Sequence, residues 1–503
     1  MAKSPAKPRP EVDVPRLALI AALLLSVPGV AQAQTVRIQP TLDTRLTWTD
    51  NVDTEEDGQQ DWIGEISPGV SISRESGRFS GGLNMSLRNT FHAEQTEDNA
   101  TYLALQGRGT IEAIEDAFFV DLGASISRDN RSAFSGRFAG DTLDNDEDNE
   151  TRLFSIGPRF GFRFGESGEG NIGYQQRWFT GGDDTQEDRE TSTLQFGLSD
   201  PVARRLFGWG LNYELTDTRY DEGDTRDLEE EIGRATLFIN IDPQFRLRAI
   251  GGYEYNDYST IRGESGAIWG GGFDWYPTER TAIEATVEDR LFGTGYDVNV
   301  QHRMARSVWS FSATRDISSS LDEVADSYLL TPQNITDLAE LIATDPEAVE
   351  GYLAGLTPTF IRTSSYFVSE ALRAALTLIG VRNTVTFSVS QTDRSELDTV
   401  GFSGPIIDEF DTYDRVKTRY ATVSLDHKLS GLATLRVSAQ RSKSEGYGDD
   451  NDDDDTTRTG YTVGVTRSLS PDTTGSLTYR HIKSEGDDSY TENAVTAVLG
   501  MRF

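Results

Sequence analysis

The sequence contains no cysteine, 4 histidines and 4 methionines, and after its N-terminal segment it has no long apolar run. Each scarcity excludes something. Without cysteine there is neither a disulfide framework nor a lipoprotein anchor. With so few histidines, a metal cluster or a histidine-based catalytic centre has little material to use. No window reaches the roughly 20 consecutive apolar residues of a spanning helix, so insertion into a membrane would have to use strands, which show lipid only alternate side chains. Cations are scarce too: 47 Lys and Arg stand against 82 Asp and Glu, a net charge of −35. That balance excludes nucleic acid as a partner and makes divalent cations the more natural company. Hydrophobic residues are 36% of 503, and 47 residues are glycine, a poor composition for several soluble cores.

What is present begins with a targeting segment. Lys3, Lys7, Arg9 and Arg16 precede the apolar run Leu17 to Leu25, and Ala31-Gln32-Ala33 has the small-residue form of a cleavage site. Residues 1–33 read as a signal peptide and residues 34–503 as an exported chain. From Val36 onward, apolar and polar residues alternate. Val36, Ile38, Leu42, Leu46 and Trp48 share one face, and Arg37, Thr41, Asp43 and Arg45 share the other. The pattern returns in Phe207, Trp209, Leu211, Tyr213 and Leu215, and again in Leu435, Val437 and Ala439. Between these segments short turns such as Asp242-Pro243-Gln244 alternate strictly with long acidic loops such as Arg128 to Glu150.

This grammar predicts an all-β fold: a closed antiparallel transmembrane β-barrel of about 22 strands, short turns in the periplasm and long loops outside. The last segment alternates to its end, through Val495, Ala497, Leu499, Met501 and Phe503, and resembles the C-terminal signal read by the barrel assembly machinery. Trp48, Trp62, Trp178, Trp209, Trp269, Trp275 and Trp309 fall where interfacial girdles belong. The expected location is the outer membrane of a Gram-negative bacterium, with outer-membrane lipid and lipopolysaccharide as partners. Two charges, Glu370 and Arg467, fall on the apolar parity; a bulge, an interfacial position or a register error would each account for them.

The period changes between Asp316 and Thr363. Thr331-Pro332 starts a helix carrying Ile335, Leu338, Ala339 and Ile342, and Asp345-Pro346 starts a second carrying Val349, Tyr352 and Leu353. This helical insertion, 316–363, belongs outside the membrane or inside the lumen, as a plug, a rim-docked element or a capped loop.

The face opposite the apolar one carries the pore-lining candidates Arg88, Arg159, Arg163, Arg177, Arg246, Arg248, Arg290, Arg303, Arg436 and Arg480, with Arg37, Arg45, Arg108, Arg234 and Arg373 on the same parity. Fewer carboxylates accompany them: Asp43, Glu65, Glu112, Asp121, Glu254, Glu284, Glu288, Asp426 and Glu492. An excess of guanidinium would favour anions along a conduit; the alternative is cross-strand pairing that braces a wide barrel. The run Asp144 to Glu150 begins like a calcium loop, but Asn149 stands where the sharp turn needs glycine, so it reads as a solvated charge run, as does Asp449 to Asp455. His302, His427 and His481 follow the lipid parity, and only His92 lies near the rim. No nucleophile–base pair, metal site or cofactor motif appears, so the chain is not expected to be an enzyme.

The run Trp309 to Ser320, the insertion after it, the return strand ending Ala375-Leu376-Thr377-Leu378 and the hairpin Val381 to Val389 resemble the β-barrel porins of the second type, in particular the barrels associated with exopolysaccharide and exosortase gene clusters. Transporters energised from the inner membrane differ, because they carry a plug domain before the first strand. The resemblance implies a secretion or surface-polymer role, with polysaccharide export components as partners, and fixes no site residues. The function expected is a porin-like conduit for anionic surface polysaccharide; the alternative is a non-conducting surface scaffold that binds matrix or divalent ions through its acidic loops.

Overall fold

The computed structural model describes residues 36–128, 132–134, 150–165, 168–181, 188–200, 206–220, 227–258, 263–320, 322–323, 363, 365–397, 409–448, 454–486 and 489–503. The signal segment, the two helices expected over 331–355 and most of both acidic runs lie outside these residues.

The first third of the ring is β1 (Val36–Thr49), β2 (Asp61–Ser76), β3 (Phe79–His92), β4 (Ala100–Ile114), β5 (Phe118–Arg128), β6 (Glu150–Arg163) and β7 (Glu169–Gly181). Next come β8 (Arg189–Ser199), β9 (Phe207–Tyr220), β10 (Leu228–Asp242), β11 (Phe245–Asn256), β12 (Ser265–Thr278), β13 (Thr281–Arg290) and β14 (Gly293–Met304). The circuit finishes with β15 (Ser307–Ser319), β16 (Tyr366–Ile379), β17 (Asn383–Glu396), β18 (Arg415–Lys428), β19 (Ala433–Tyr447), β20 (Asp455–Ser470), β21 (Thr473–Glu485) and β22 (Tyr490–Arg502). Each strand pairs antiparallel with the next in one 22-stranded sheet. Pairing of β1 with β22, from Thr41 opposite Arg502 to Thr49 opposite Ala494, closes the ring. A closed ring has no edge strand, so every backbone group within the bilayer has a partner.

The two faces of this cylinder differ as the alternation requires. Leu46, Met85, Leu87, Tyr174, Leu211, Leu237, Phe387, Val463 and Leu477 all stand exposed on the outer parity. Left in water, each such side chain would forgo about 1.5–3 kcal/mol of burial, so the solvent of this face is hydrocarbon. Trp62 and Trp269 are exposed near the outer ends of β2 and β12, while Trp275 and Trp309 are exposed near the inner ends of β12 and β15, which makes two interfacial rows. Glu370 lies opposite Arg315 and Asp393 without a register break, and Arg467 lies opposite Ala433 near the inner end of β20. Their positions are interfacial, and the register stands.

Two expectations about the loops need correction. Long outer loops do not alternate strictly with short turns, because β13 and β14 join on the outer side through Leu291 and Phe292 alone, with Arg290 paired to Gly293. Gly293 has φ +107°, a conformation that side-chain-bearing residues avoid, and it is what lets this outer turn be so tight. The insertion also begins later than Asp316. Pairing of β15 with β16 continues to Ser319 opposite Tyr366, beyond the end of the β14–β15 ladder at Tyr296 and Arg315. The tip of the β15–β16 hairpin therefore rises above the low β13–β14 turn.

Candidate functional site

Twenty-two strands enclose a lumen that side chains projecting from the wall do not fill, so what crosses the lumen decides what the barrel can do. The first crossing is made by the tip of β15–β16. Ser320, Asp322 and Glu323 continue β15 in helical conformation. Asp322 pairs with Arg177 of β7 at 3.2 Å, and the Ser320 hydroxyl accepts from Arg189 of β8 at 3.0 Å. The hydroxyls of Tyr366 and Thr218 of β9 are 3.3 Å apart. These partners are seven or more strands distant along the ring, so the tip spans a chord of the mouth and rests on the opposite wall.

Apolar packing seals the contact. Tyr366 and Val368 belong to the outward parity of β16, yet both are buried with Leu228, Tyr258, Phe292 and Leu397. The rings of Tyr258 and Tyr366 stack with centroids 4.4 Å apart. Burial pushes the Tyr258 hydroxyl well above its ordinary pKa. Residues that would face lipid in an upright strand have been turned onto the inner face of β9 and β10.

A second crossing comes from the β5–β6 connection. Ala133 is fully buried; its carbonyl accepts from Ser444 of β19 at 2.6 Å and from Arg458 of β20 at 2.9 Å. Its N–H donates to Glu409 at 3.1 Å. Phe134 packs on Tyr413 with centroids 4.9 Å apart, and Phe367 of β16 completes this cluster with Phe410 and Val416. Both crossings thus meet on consecutive residues of β16, Tyr366 and Phe367.

Beneath the first crossing lies a polar cavity of about 230 Å³. Arg177, Arg189, Arg234 and Arg290 line it together with Glu214, Glu230, Asp316 and Asp322. Arg290 is its hub, 2.8 Å from Glu254 and 2.5 Å from Asp316, while the Leu291 N–H also donates to Glu254. Arg234 makes a forked contact with Glu288 at 3.0 Å. Among the described residues, the buried Nε protons of Arg177 and Arg189 have no acceptor.

The candidate arginines are distributed around the interior and not gathered in one place. Arg159 pairs with Asp121 at 2.7 Å and Arg163 with Glu169 at 3.6 Å. Arg246 and Arg248 share the buried Asp274, at 2.5 and 2.7 Å. Arg436 holds Asp426 at 2.7 Å, and Arg480 holds Glu492 at 3.0 Å. Arg88 lies 3.5 Å from the Tyr102 hydroxyl and against its ring. Arg303 makes no side-chain ion pair among the described residues. Arg177 and Arg290 alone of this set border the cavity. Carboxylates absent from the parity inventory supply much of the compensation: Glu214, Glu230, Asp274 and Asp316 on inward positions, and Asp322 and Glu323 from the connection. Strand parity could have found the first four; nothing in the alternation points to the last two. Glu323 meets the fully buried Arg394 at 2.9 Å, another inward arginine that the inventory had left out.

His92 is buried at the rim with Nδ1 3.2 Å from Asp61. Asp61 also accepts from the backbone N–H groups of Trp62, Ala93, Glu94 and Gln95, so this carboxylate organises the β3–β4 connection. Among the described residues, Nε2 of His92 has no hydrogen-bond partner. Among the described residues no cluster of His, Asp and Glu could hold a metal ion.

No protein-family model matches the chain, and no curated protein matches its sequence. Solved structures do. The siderophore receptor PirA from Pseudomonas aeruginosa aligns with a TM-score of 0.49 at 10% identity, covering 94% of this chain and 81% of that one. The FrpB iron transporter from Neisseria meningitidis gives 0.49 at 10% identity over 96% of this chain and 83% of that one. OccK5 (OpdH) from P. aeruginosa gives 0.32 at 8% over 93% and 98%. The likeness concerns barrel architecture alone. A closed ring with an apolar exterior and two interfacial aromatic rows has one place to reside. The chain is a Gram-negative outer-membrane β-barrel.

Proposed function

We propose that the barrel is a porin-like conduit held shut at its outer mouth by the β15–β16 tip, and that it opens when the tip leaves the opposite wall. The observation that carries this reading is the seating of one intact hairpin tip, through Asp322, Ser320 and Tyr366, on three strands across the lumen. These bonds lie where loss of a few contacts would free a chord-wide passage. The guest is hydrophilic and rich in acceptors, matching the four arginines Arg177, Arg189, Arg234 and Arg290 that line the cavity; an anionic surface polysaccharide is the narrowest form of this reading. The paired arginines shape that form: an interior in which Asp274, Glu254, Glu288 and Glu492 neutralise their partners favours a sugar chain held by hydrogen bonds over one drawn by net charge.

Planar-bilayer conductance tests the proposal. Wild-type barrel should be mostly closed, and replacement of Ser320–Thr363 by a short glycine-serine linker should produce long-lived openings. Those openings should pass uronate-containing oligosaccharides without selecting cations. A barrel that stays closed after the deletion removes the conduit reading. A second reading, a non-conducting surface scaffold, is favoured by the same double crossing. In that case deletion of outer loops abolishes matrix attachment while conductance stays absent in every variant.

A further inference from the structure

The outer surface carries a feature that the conduit does not use. At the outward parity of β16, β17 and β18, small residues alternate with large ones. Ala374 and Ala421 lie between Phe311, Leu372 and Val389, and they leave a groove of about 590 Å³ in the lipid-facing wall, within the range of ligand sites. Its floor is apolar. Its upper rim is formed by Arg419, Arg441 and Lys443, the first outward residues above the apolar rows of β18 and β19. The outward parity continues upward through Lys417 and Arg415.

This rim reverses the charge of the molecule. Its cations Arg415, Lys417, Arg419, Arg441 and Lys443 face the carboxylates Asp393, Glu445 and Asp455, five against three, in a chain where carboxylates outnumber cations 82 to 47. Glu445 is shared by Arg419 at 2.6 Å and Lys443 at 2.9 Å, and Lys443 also reaches Asp455 at 3.0 Å. Asp393 is shared by Arg415 and Lys417. Arg441 forms no ion pair among the described residues. On the flanks, Glu370 lies 4.0 Å from Arg315 and is also within electrostatic reach of Arg415, and Glu485 pairs with Lys483 and is also within reach of Arg441; each flank adds one cation and one carboxylate, so the excess stands. Arg419 and Lys443 stand directly opposite each other across β18 and β19, with Glu445 between them as the one carboxylate that both cations share.

We propose that this groove and rim bind a phosphorylated, multiply acylated glycolipid of the outer leaflet, the lipid portion of lipopolysaccharide. One acyl chain lies along Phe311, Leu372, Val389 and Ala421, and a glucosamine phosphate sits between Arg441, Arg419 and Lys443. The height of the rim decides the ligand. The cations stand at the outer end of the apolar band, where the phosphates of the outer leaflet lie, and phosphate accepts several charge-assisted hydrogen bonds at once.

The test uses the full-length barrel, reconstituted with phosphatidylcholine and either bisphosphorylated or dephosphorylated lipid A, re-extracted in detergent and weighed by native mass spectrometry. Wild type should retain the bisphosphorylated lipid at least tenfold over the dephosphorylated form. Arg441→Gln combined with Lys443→Gln should abolish that preference, and Arg441→Lys should keep it. Ala421→Trp, which fills the groove and leaves the rim intact, should lower retention of both forms. Heat-modifiable gel mobility reports that each variant is folded. Equal retention of the two lipids by wild type, or an undiminished preference in the double variant, overturns the proposal.

Discussion

Replacing Tyr366 by alanine should unlatch the outer mouth. Tyr366 is 8% exposed, stacks on Tyr258 at 4.4 Å and places its hydroxyl 3.3 Å from that of Thr218. Truncating a buried aromatic costs about 3–5 kcal/mol, and the hydroxyl bond is about 1 kcal/mol of that. In the open barrel this ring is out in water, so nearly all the loss falls on the closed state. Taking about 3 kcal/mol as the difference, the open-to-closed ratio should rise roughly a hundredfold. Single-channel recording in planar bilayers reads that ratio from dwell times. Tyr253→Ala is the control, because Tyr253 is 58% exposed on the lipid face of β11 and its loss should leave gating unchanged. An unchanged open fraction in Tyr366→Ala, or an equal rise in the control, would refute the reasoning.

Other perturbations follow from the same geometry. Arg290→Leu strands the buried Glu254 and should cost about 3–5 kcal/mol in urea titrations; adding Glu254→Leu should recover a large part of it. Val437→Arg, at mid-height on the lipid face of β19, should cost about 2–4 kcal/mol, measured by unfolding from liposomes. Because burial raises the Tyr258 hydroxyl pKa, the closed state holds the neutral form better than the open one does. Through this hydroxyl, closure should lose nothing below the ordinary tyrosine value of about 10 and should weaken as pH rises above it. A conductance series from pH 7 to 11 checks the sign, and opening on acidification through neutrality would contradict the Tyr258 assignment. Asp61→Ala removes the acceptor of the β3–β4 N–H groups and should raise proteolysis of that loop without changing conductance.

Strand number, ring closure and membrane face were legible in the alternation, because a period of two commits all side chains of a strand at once. Glu370 and Arg467 could be placed on the apolar parity, but their height could not, since parity carries no depth. The crossings were hidden for a related reason. Tyr366 and Val368 keep strand parity and pairing, and only the bend of the hairpin tip turns them from lipid toward the lumen. The inward parity of the candidate arginines was legible and their electrostatic environment was not: Asp322 and Glu323 arrive from a connection where periodicity has ended, and Arg177 and Arg394 acquire partners from far along the chain. The β13–β14 connection was missed because Leu291 and Phe292 look like a continuing strand, and the tight turn is marked only by the glycine that follows.

That two-residue link has a mechanical consequence. Where β14 stops short, Asp316 to Ser319 keep their ladder to β16 but have no strand paired to them on the other flank, so the backbone of this stretch is hinged on one side as a page is bound at its spine. A longer link there would rebuild the parapet and clamp both margins, holding the hairpin upright. Freedom to swing inward therefore belongs less to the hairpin than to the gap beside it.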